Sequence, residues 1–598
     1  MEYILQYSAK LWNRYNNIKY CFFARQVFLL STLNKIPNEN HCLDNQPSIM
    51  YPQIYPLSET AITLEWGNTI DDNLHAQVLT LNRSLHQNPF LGFIESVPAY
   101  ASLTIYYQAE LIATENAHPF LFLKDYIETL MRSTTAALSW PDNLVSIPVC
   151  YDEAFGYDLD MVADINGISK ENLIALHQQN VYKVYMMGFL PGFAYMGALD
   201  DAIATARKPT PRAKVEAGSV GIAGNQTGIY PLSSPGGWQI IGRTPRCLFD
   251  PGKTDPFLLK TGDSVKFYAI TKEEFYQIFN PKNDIAEIGQ GADEVDALVI
   301  KPGIYATLQD QGRFGFRAYG VPLSGAMDSV AHLYANALIG NTQNAATIEC
   351  TMGGMVLQFK KDTHIALTGG GAGAINGSDI PLYQRHAVYE NDVLEIRYNH
   401  QGIRTYIAVQ GGFAAENIMN SRSTCPMAGI GMPLKKDTGL RFGKDFSTAI
   451  KKIEENLPSR VVASAKSIRV CPGPEYDWMT ADSARQMHTQ KFTLTNRCDR
   501  MGYHLQAEPL FLNKPREMLS SAVTKGTIQL TPNGQLIILM SDCQTTGGYP
   551  RVGQIAAVDL PLVAQWSPGE TVAFTDISFA EAEALYLLQQ KTINALFS

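Results

Sequence analysis

Cationic and amide side chains are concentrated in one glycine- and proline-rich stretch, residues 187–244. The cations are Lys208, Arg212, Lys214 and Arg243, and the amides are Asn225 and Gln226. Guanidinium and ammonium groups bind phosphate and carboxylate groups, and amides bind carbonyl groups. Because Pro209 and Pro211 stiffen the loop around the first three cations, holding those charges toward a ligand costs less entropy. The stretch predicts a site for an anionic or carbonyl-bearing small molecule. A solvated basic loop is the alternative.

Residues 219–231, SVGIAGNQTGIYP, place the two amides beside glycines and Tyr230. Glycine lets a backbone approach a ligand closely, and a tyrosine hydroxyl can donate a hydrogen bond. The segment therefore predicts amide recognition, with a plain glycine-turn hairpin as the alternative. Trp238 follows a tight turn, and its residue type suits a core as well as the wall of a ligand site.

Polar side chains also recur in the second half of the chain. They are Asp328, Arg422, Thr545, Thr546 and Tyr549. Asp328 precedes an apolar helical pattern, so it is either a carboxylate facing the active cleft or the N-cap of that helix. Arg422 could bind a carboxylate through two nitrogens. The loop that carries the last three predicts a cradle for a small anion or an amide.

A further polar group, Gln309, Asp310 and Arg313, follows a predicted strand. One interpretation is an ion pair between Asp310 and Arg313 that holds a turn, and the other is a contact with the ligand.

Short strands and turns must position these residues. Residues 187–244 contain ten glycines and five prolines but keep their aromatic residues, which excludes long helices and indicates a barrel or sandwich. Ser169 is the expected N-cap of one helix, with Asn172 at its third position. Periodicity predicts helices within residues 70–89, 122–138, 168–179, 270–280 and 329–339, and strands within 61–67, 102–108, 146–152 and 263–271.

Composition excludes several classes of protein. The formal net charge of -9 argues against a nucleic-acid binder. The nine cysteines include no C-x-x-C pair, which excludes a disulfide scaffold or zinc site and favours the cytoplasm. The sequence contains no apolar run of about 18 residues, so no membrane association is expected. Residues 1–49 are expected to be a dispensable extension ahead of Met50, with a short interfacial helix as the alternative.

Two segments resemble nucleotide-binding motifs but lack features that those motifs require. A phosphate-binding Walker loop would need glycine where Cys247 stands before Gly252, Lys253 and Thr254, and Pro256 interrupts the helix that should follow. The run LTGGGAG is followed by another turn and strand rather than a helix, so a dinucleotide loop is not expected. No metal-ligand spacing is present, and the Met-Lys-Met sequence that carries biotin is absent.

Long ordered blocks of the first half resemble one known family. GFLPGFAYMG, PTPRAKVEAGSVGIAGNQTGIYP and SPGGWQIIGRTP are similar to the B subunit of bacterial 5-oxoprolinase, also called the Kip inhibitor family or allophanate hydrolase subunit 1. The resemblance departs at Glu216, where that family usually has proline.

The second half resembles the partner family, the 5-oxoprolinase C subunit, Kip antagonist or allophanate hydrolase subunit 2. TLQDQGRFGF, GVPLSGAMD, ANALIGN, IAVQGGF, NSRST, RMGYHL, KGTIQL and SDCQTTGGYPRVG carry this likeness. Both families resemble the carboxyltransferase region of urea carboxylase. The chain is therefore expected to be a fusion of the two subunits, although its halves are not obvious sequence repeats.

The resemblance implies a mostly β fold with α+β elements: tandem cyclophilin-like β-barrels and a small N-terminal α+β subdomain. The expected limits are 1–49 for the extension, 50–140 for the α+β subdomain, 141–285 for the first barrel, 296–460 for a C-subunit-like subdomain and 461–598 for the second barrel.

The function implied by the resemblance is a component of ATP-dependent 5-oxoprolinase. That enzyme opens the lactam 5-oxo-L-proline to L-glutamate by phosphorylating its carbonyl, with a separate 5-oxoprolinase A subunit as partner. The roles expected under this function are a cationic clamp, amide recognition, a base and further substrate contacts. Lys208, Arg212 and Arg243 are assigned to the clamp, Tyr230, Asn225 and Gln226 to amide recognition, Asp328 to the base, and Arg422, Thr545, Thr546 and Tyr549 to substrate.

Two other functions stay open. One is a carboxyltransferase acting on urea or another amide, with biotin delivered by a partner. The other is regulation of a histidine kinase, although joining an inhibitor to its antagonist would silence such a switch. The sequence does not locate the ATP site, and a homo-oligomer also stays open.

Overall fold

The structure is a computed structural model, and it describes residues 51–113, 118–133, 143–279, 295–446, 467–516 and 518–598. The described residues from Pro52 onward belong to one compact unit. The predicted extension 1–49 lies outside the described residues. Residues 134–142, 280–294 and 447–466 also lie outside the described residues. The predicted subdomain boundaries near residues 140, 285–296 and 460 fall within or beside these segments, so the subdomain limits stay predictions.

The N-terminal part is a small α+β layer. Its four-stranded sheet has the order β1-β2-β4-β3 and is covered by helices. The strands are β1 Gln53–Ser58, β2 Ala61–Glu65, β3 Phe93–Pro98 and β4 Ser102–Tyr107, and the helices are α1 Asp72–Gln87, α2 Ala109–Ile112 and α3 Pro119–Ser133. Asp71 caps α1 by accepting from the backbone N–H groups of Asn73 and Leu74. The buried face of α1 then packs on the sheet.

The first barrel is a curved seven-stranded sheet of order β12-β9-β10-β7-β6-β13-β5, with the two-stranded sheet β11-β8 beside it. A single bridge between Cys150 and Arg243 joins its two edges. The strands are β5 Leu144–Val149, β6 Val181–Met187, β7 Ala194–Gly197, β8 Arg212–Val215, β9 Ser219–Ala223, β10 Gln226–Ile229, β11 Ser234–Gly236, β12 Gln239–Arg243 and β13 Ser264–Ala269, and the helices are α4 Leu159–Asn166, α5 Lys170–Gln179 and α6 Lys272–Ile278.

The helix caps of this barrel follow from the sequence. Ser169 accepts from the Asn172 N–H at the start of α5, as predicted. Thr271 and Glu274 form a reciprocal capping box on α6.

The next part of the chain folds into two sheets. Their orders are β20-β19-β22-β17-β14-β25-β24 and β15-β16-β23-β18-β21, and one helix, α7, packs on β18 and β23. The strands are β14 Ala297–Pro302, β15 Tyr305–Gln309, β16 Thr347–Thr351, β17 Met355–Phe359, β18 Thr363–Gly369, β19 Ala372–Ile375, β20 Ser378–Ile380, β21 Arg385–Val388, β22 Val393–Arg397, β23 Arg404–Val409, β24 Phe413–Ala414 and β25 Gly439–Phe442, and α7 is Ser329–Leu338.

The second barrel is closed, with the order β26-β33-β30-β31-β28-β27-β34, and the two-stranded sheet β29-β32 accompanies it. The strands are β26 Ser467–Pro472, β27 Phe492–Cys498, β28 Gly502–Gln506, β29 Ser521–Ala522, β30 Thr527–Leu530, β31 Leu536–Leu539, β32 Thr546–Gly547, β33 Arg551–Ile555 and β34 Thr571–Asp576, and the helices are α8 Ala481–Thr489, α9 Leu560–Val563 and α10 Phe579–Phe597. The expected mostly β fold, with few helices and with barrel sheets, is confirmed.

Buried polar contacts join the two halves of the chain. Arg317 is paired with Glu95, and its guanidinium lies 4.2 Å from the ring centroid of Tyr106. Gly192 donates its N–H to the Tyr319 carbonyl at 2.9 Å. Because both partners of the Arg317–Glu95 pair are buried, the halves are held in a defined arrangement.

Candidate active site

Two of the predicted cations meet at one buried carboxylate, Asp158. Lys208 Nζ and Arg212 Nη2 lie 2.9 and 2.5 Å from the same Asp158 oxygen. The other oxygen of Asp158 accepts from the Ile240 N–H at 2.7 Å. Lys208 and Arg212 come from the loop before β8 and from its first residue, so the carboxylate fixes both side chains against β12. The two cations together carry one charge that Asp158 does not neutralise.

The other two predicted cations have different partners. Lys214 is exposed and pairs with Glu216 at 2.8 Å. Glu216 stands where the resembled family usually has proline. Arg243 donates to the Ala217 carbonyl at 2.7 Å and lies over the rings of Phe275 and Phe279. The structure thus brings Lys208 and Arg212 together and gives Arg243 its own set of contacts.

An aromatic cluster lies beside the basic loop. Its members are Tyr100, Phe189, Phe193, Tyr195, Tyr230 and Trp238. Trp238 is nearly buried and makes edge contacts with Phe193 and Tyr195, so it serves as a core anchor. The Tyr195 hydroxyl hydrogen-bonds Ser520, which comes from the second half of the chain. The cluster therefore lies where the two halves meet.

Tyr230 is fully buried in this cluster. Its hydroxyl accepts a hydrogen bond from the Trp238 backbone N–H, and burial raises its pKa to about 12. The group is therefore protonated near neutral pH. Gln226 accepts from the Tyr100 hydroxyl at 2.8 Å, whereas the Asn225 side chain is exposed. Gln226 adjoins the cluster through Tyr100.

In the second half, several of the motif segments converge on the loop Gly325–Asp328. Arg500 binds Asp542 through two nitrogens at 2.9 Å each, Glu349 at 2.6 Å and the Gly325 carbonyl at 2.7 Å. All four residues come from different segments. Arg500, Asp542 and Glu349 are buried, so the loop is held by charge-assisted hydrogen bonds in a dry environment.

Asp328 caps α7. One carboxylate oxygen accepts from the Ala331 N–H at 2.9 Å, and the other accepts from the Gln565 amide at 2.9 Å. The capping alternative describes the observed contacts, and a role as base stays a prediction.

Lys525 is a functional candidate that residue-by-residue reasoning missed. Its ammonium donates to the carbonyls of Met327 at 2.7 Å and Ala326 at 3.3 Å. Burial, together with the charge of Arg500, lowers its pKa to about 8. The residue is the first of the KGTIQL segment, so the resemblance contained a signal for it.

Three buried hydroxyls of the second barrel lack a hydrogen-bond partner among the described residues. They belong to Ser521, Thr545 and Thr546, around the two-stranded sheet β29-β32. Thr546 packs directly on Gly188, because a side chain on that glycine would lie 2.0 Å from the Thr546 hydroxyl. Unpaired buried hydroxyls cost free energy unless a ligand or water satisfies them. A role of these hydroxyls in binding a ligand stays a prediction. Tyr549, from the same loop, is partly exposed.

The remaining predicted residues have structural partners. Arg422 pairs with Asp445 at 3.1 Å. The ion pair between Asp310 and Arg313, one of the two interpretations of this segment, is not among the contacts of the described residues. Asp310 accepts from Gly312 and from residues 421–423, whereas Arg313 donates to the carbonyls of Ile418 and Ser423. Backbone and hydroxyl groups satisfy Asp310 instead, because the 421–423 segment folds over it.

Neither a candidate metal cluster nor a membrane-spanning helix is found among the described residues. No group of three or more His, Cys, Asp or Glu side chains there is arranged to hold a metal ion. None of the helices in that part of the chain combines the length and apolar character needed to span a bilayer. The seven cysteines that the structure describes are all free thiols.

Two family models match the chain. Residues 52–259 match the carboxyltransferase domain, subdomain C and D, and residues 319–576 match the carboxyltransferase domain, subdomain A and B. The chain is 40% identical over 228 residues to the B subunit of 5-oxoprolinase from Bacillus subtilis, covering 95% of that protein and 38% of this chain. It is 36% identical over 293 residues to the C subunit of 5-oxoprolinase from Haemophilus influenzae, covering 94% of that protein and 49% of this chain.

The chain is also similar to a urea amidolyase and to a solved structure. The chain is 28% identical over 326 residues to urea amidolyase of Lachancea kluyveri, covering half of this chain but only 18% of that protein. The crystal structure of TTHA0988 superposes with a TM-score of 0.74 at 30% identity, covering 86% of this chain and all of that chain.

Proposed function

The chain belongs to the families of the B and C subunits of 5-oxoprolinase, with both in one polypeptide, and from this premise we propose that it is the B–C component of an ATP-dependent 5-oxoprolinase. The observation that carries the proposal is the junction between the halves. The Thr546 loop of the C-like half packs on Gly188, within the GFLPG loop of the B-like half. A single active site drawing on both halves would require such a junction.

The proposed reaction begins with phosphorylation of the lactam. The lactam oxygen attacks the γ-phosphorus of ATP, the bond to the bridging oxygen breaks, and ADP leaves. Charge spreads over the transferring phosphoryl oxygens, so fixed cations lower the barrier. Lys208 and Arg212 are suited to this role because Asp158 holds them in place while leaving one net positive charge.

Water then adds to the phosphorylated carbon. The carbon–nitrogen bond breaks, the nitrogen gains a proton, and an acyl phosphate of glutamate remains. A second water attacks the acyl carbon, and phosphate leaves with the former lactam oxygen. Tyr230 and Gln226 are proposed to orient the amide, although Tyr230 acts from within the core. Asp328 is proposed as the base, and Asn225, Arg243, Arg422, Thr545, Thr546 and Tyr549 are proposed as substrate contacts.

ATP is the proposed co-substrate, and a separate 5-oxoprolinase A subunit is the proposed partner. Relatives of both halves are named as subunits, which supports the need for further chains. The protein is proposed to act on a small molecule in the cytoplasm.

A second function is favoured by one observation. Both family models describe carboxyltransferase subdomains, and urea amidolyase matches half of the chain. The second candidate is therefore a carboxyltransferase for urea or another amide, with biotin carried by a partner.

The test is a product assay with the full chain. It would be purified with and without a 5-oxoprolinase A subunit, and glutamate and ADP formed from 5-oxo-L-proline and ATP would be measured. We expect equimolar glutamate and ADP only when both proteins are present. No turnover by the folded pair, together with urea-dependent decarboxylation of carboxybiotin, would replace the first function with the second.

A further inference from the structure

Arg207 differs from its neighbours in the basic loop. Lys208 and Arg212 share Asp158, and Lys214 pairs with Glu216. Arg207 has no carboxylate within ion-pair distance among the described residues, and its side chain is exposed. An arginine without an acidic partner keeps its full charge and its fork of donors for a ligand.

The guanidinium lies over an aromatic surface. Its central carbon is 5.9 Å from the ring centroid of Trp238. Its charge also opposes the rise in pKa that burial gives Tyr100, Tyr195 and Tyr230, so it lies within electrostatic reach of all three. Arg207 is thus held above the cluster by a cation–π contact.

Two hydroxyl-bearing residues of the second half of the chain, Ser520 and Thr546, contact residues in or next to the cluster. Ser520 bonds to Tyr195, and the next residue, Ser521, carries one of the three unpaired hydroxyls. A second one, on Thr546, lies against Gly188, next to the Phe189 ring of the cluster. A cation, aromatic rings and an unpaired hydroxyl together fit a small flat ring that carries both a carbonyl and an anionic group.

We propose that Arg207 is the specificity-determining residue that binds the carboxylate of the substrate, while the hydroxyl of Thr546 binds its lactam carbonyl. The choice of 5-oxo-L-proline as ligand rests on the proposed function. The shared chemistry is anion binding, and a phosphoryl group is the other source of such an anion.

The test compares binding of three probes to the full chain, with and without the A subunit, by titration calorimetry. The probes are 5-oxo-L-proline, the uncharged lactam 2-pyrrolidinone, and inorganic phosphate. For Arg207→Gln we expect a Kd for 5-oxo-L-proline about 10- to 100-fold weaker and an unchanged Kd for 2-pyrrolidinone, because only the charged ligand loses a charge-assisted hydrogen bond. Arg207→Lys should recover part of the affinity. Arg485→Gln, an exposed arginine of the second barrel, is the matched control and should bind as the native chain does.

Three outcomes would overturn the proposal. Equal weakening for both lactams would show that Arg207 only shapes the aromatic surface. Weakening for phosphate alone would assign the residue to a phosphoryl group. If 5-oxo-L-proline does not bind the native chain with or without the A subunit, the proposed carboxylate site is wrong. Failure of the proposed function is distinguishable, because 5-oxo-L-proline would then still bind through Arg207 while the complete complex forms no glutamate.

Discussion

The two barrels have the same strand connectivity but hold different charged residues at equivalent positions. Starting from the first strand of each, the spatial order is β5-β13-β6-β7-β10-β9-β12 in one and β26-β34-β27-β28-β31-β30-β33 in the other. In both, the first strand pairs in parallel with the last. Each barrel also has a two-stranded sheet at equivalent chain positions. The halves, which show no obvious sequence repeat, therefore contain a repeated fold.

An acidic residue occupies the same place in both barrels. Asp158 bonds to the backbone of Ile240 in β12, and Glu475 bonds to the backbone of Arg551 in β33, each by one backbone and one side-chain hydrogen bond. In the first barrel the cations come from the loop at β8. In the second, Arg551 itself supplies the cation and also bonds to Tyr55 of the N-terminal layer. The same scaffold thus holds the basic loop in one barrel and an interface with the N-terminal layer in the other.

The largest expected effect lies in the second barrel. Glu475→Gln should lower the free energy of unfolding by about 3–5 kcal/mol, because it leaves the fully buried Arg551 without its main counter-charge. Urea denaturation would measure the change. Asp477→Asn, two residues away and exposed, is the control and should leave stability within about 0.5 kcal/mol. Equal stability of both variants would contradict the assigned interface role.

The equivalent change in the first barrel should affect activity more than stability. Asp158→Asn removes the shared counter-charge of two half-buried cations, so we expect a loss of about 1–3 kcal/mol in unfolding free energy. Turnover should fall about 10- to 100-fold, as expected when a positioning partner is lost. Asp160→Asn, an exposed neighbour on α4, should retain native turnover. A stability loss as large as that of Glu475→Gln with native turnover would erase the contrast between the barrels.

Lys525 in the second barrel and Ala217 in the first occupy equivalent positions. A glycine with positive φ precedes β9 in the first barrel and β30 in the second, namely Gly218 and Gly526. The residue before this glycine is Ala217 in the first barrel and Lys525 in the second. Burial of Lys525 lowers its folded pKa to about 8, below the unfolded value. The unfolded chain therefore binds more protons between about pH 8 and pH 10, and stability should rise with pH in that window.

Lys525→Met should remove this rise, and unfolding free energies measured from pH 7 to pH 10 would show it as a flatter profile. Parallel profiles for the native chain and the variant would mean that Lys525 keeps an ordinary pKa. The nearby charges to consider are Glu349, Asp328, Arg500 and Arg404, none of which is changed by this variant.

The smallest effect separates two predicted cations of the same stretch. Arg243 contacts Ala217 and two aromatic rings of α6 and its flank, whereas Arg212 contacts Asp158. Arg243→Gln should therefore reduce turnover less than Arg212→Gln, which we expect to cost about 10-fold or more. Steady-state assays of the complex would rank them. The reverse order would make Arg243 the more important cation of the clamp.

Local features of the fold were predictable because they depend on neighbouring residues. The Ser169 cap and the helix behind Asp328 follow from patterns within one turn of helix. The role of Asp158 was not predictable, because its partners Arg212 and Ile240 are far away in sequence and meet it only through the register of β12. The partners of Asp310 were not predictable for the same reason, since residues 421–423 reach it from a distant loop. The repeated barrel could be expected only from the family resemblance, because equivalent positions of the two barrels differ in residue type, as Ala217 and Lys525 do.

We propose that the two halves act on one lactam whose carbonyl oxygen becomes phosphorylated. The most direct test uses 5-oxo-L-proline labelled with oxygen-18 at the lactam carbonyl, incubated with ATP, the full chain and the A subunit. Mass spectrometry of the inorganic phosphate should find one labelled oxygen per glutamate formed. Glutamate formed together with unlabelled phosphate would contradict carbonyl phosphorylation followed by attack of water at carbon.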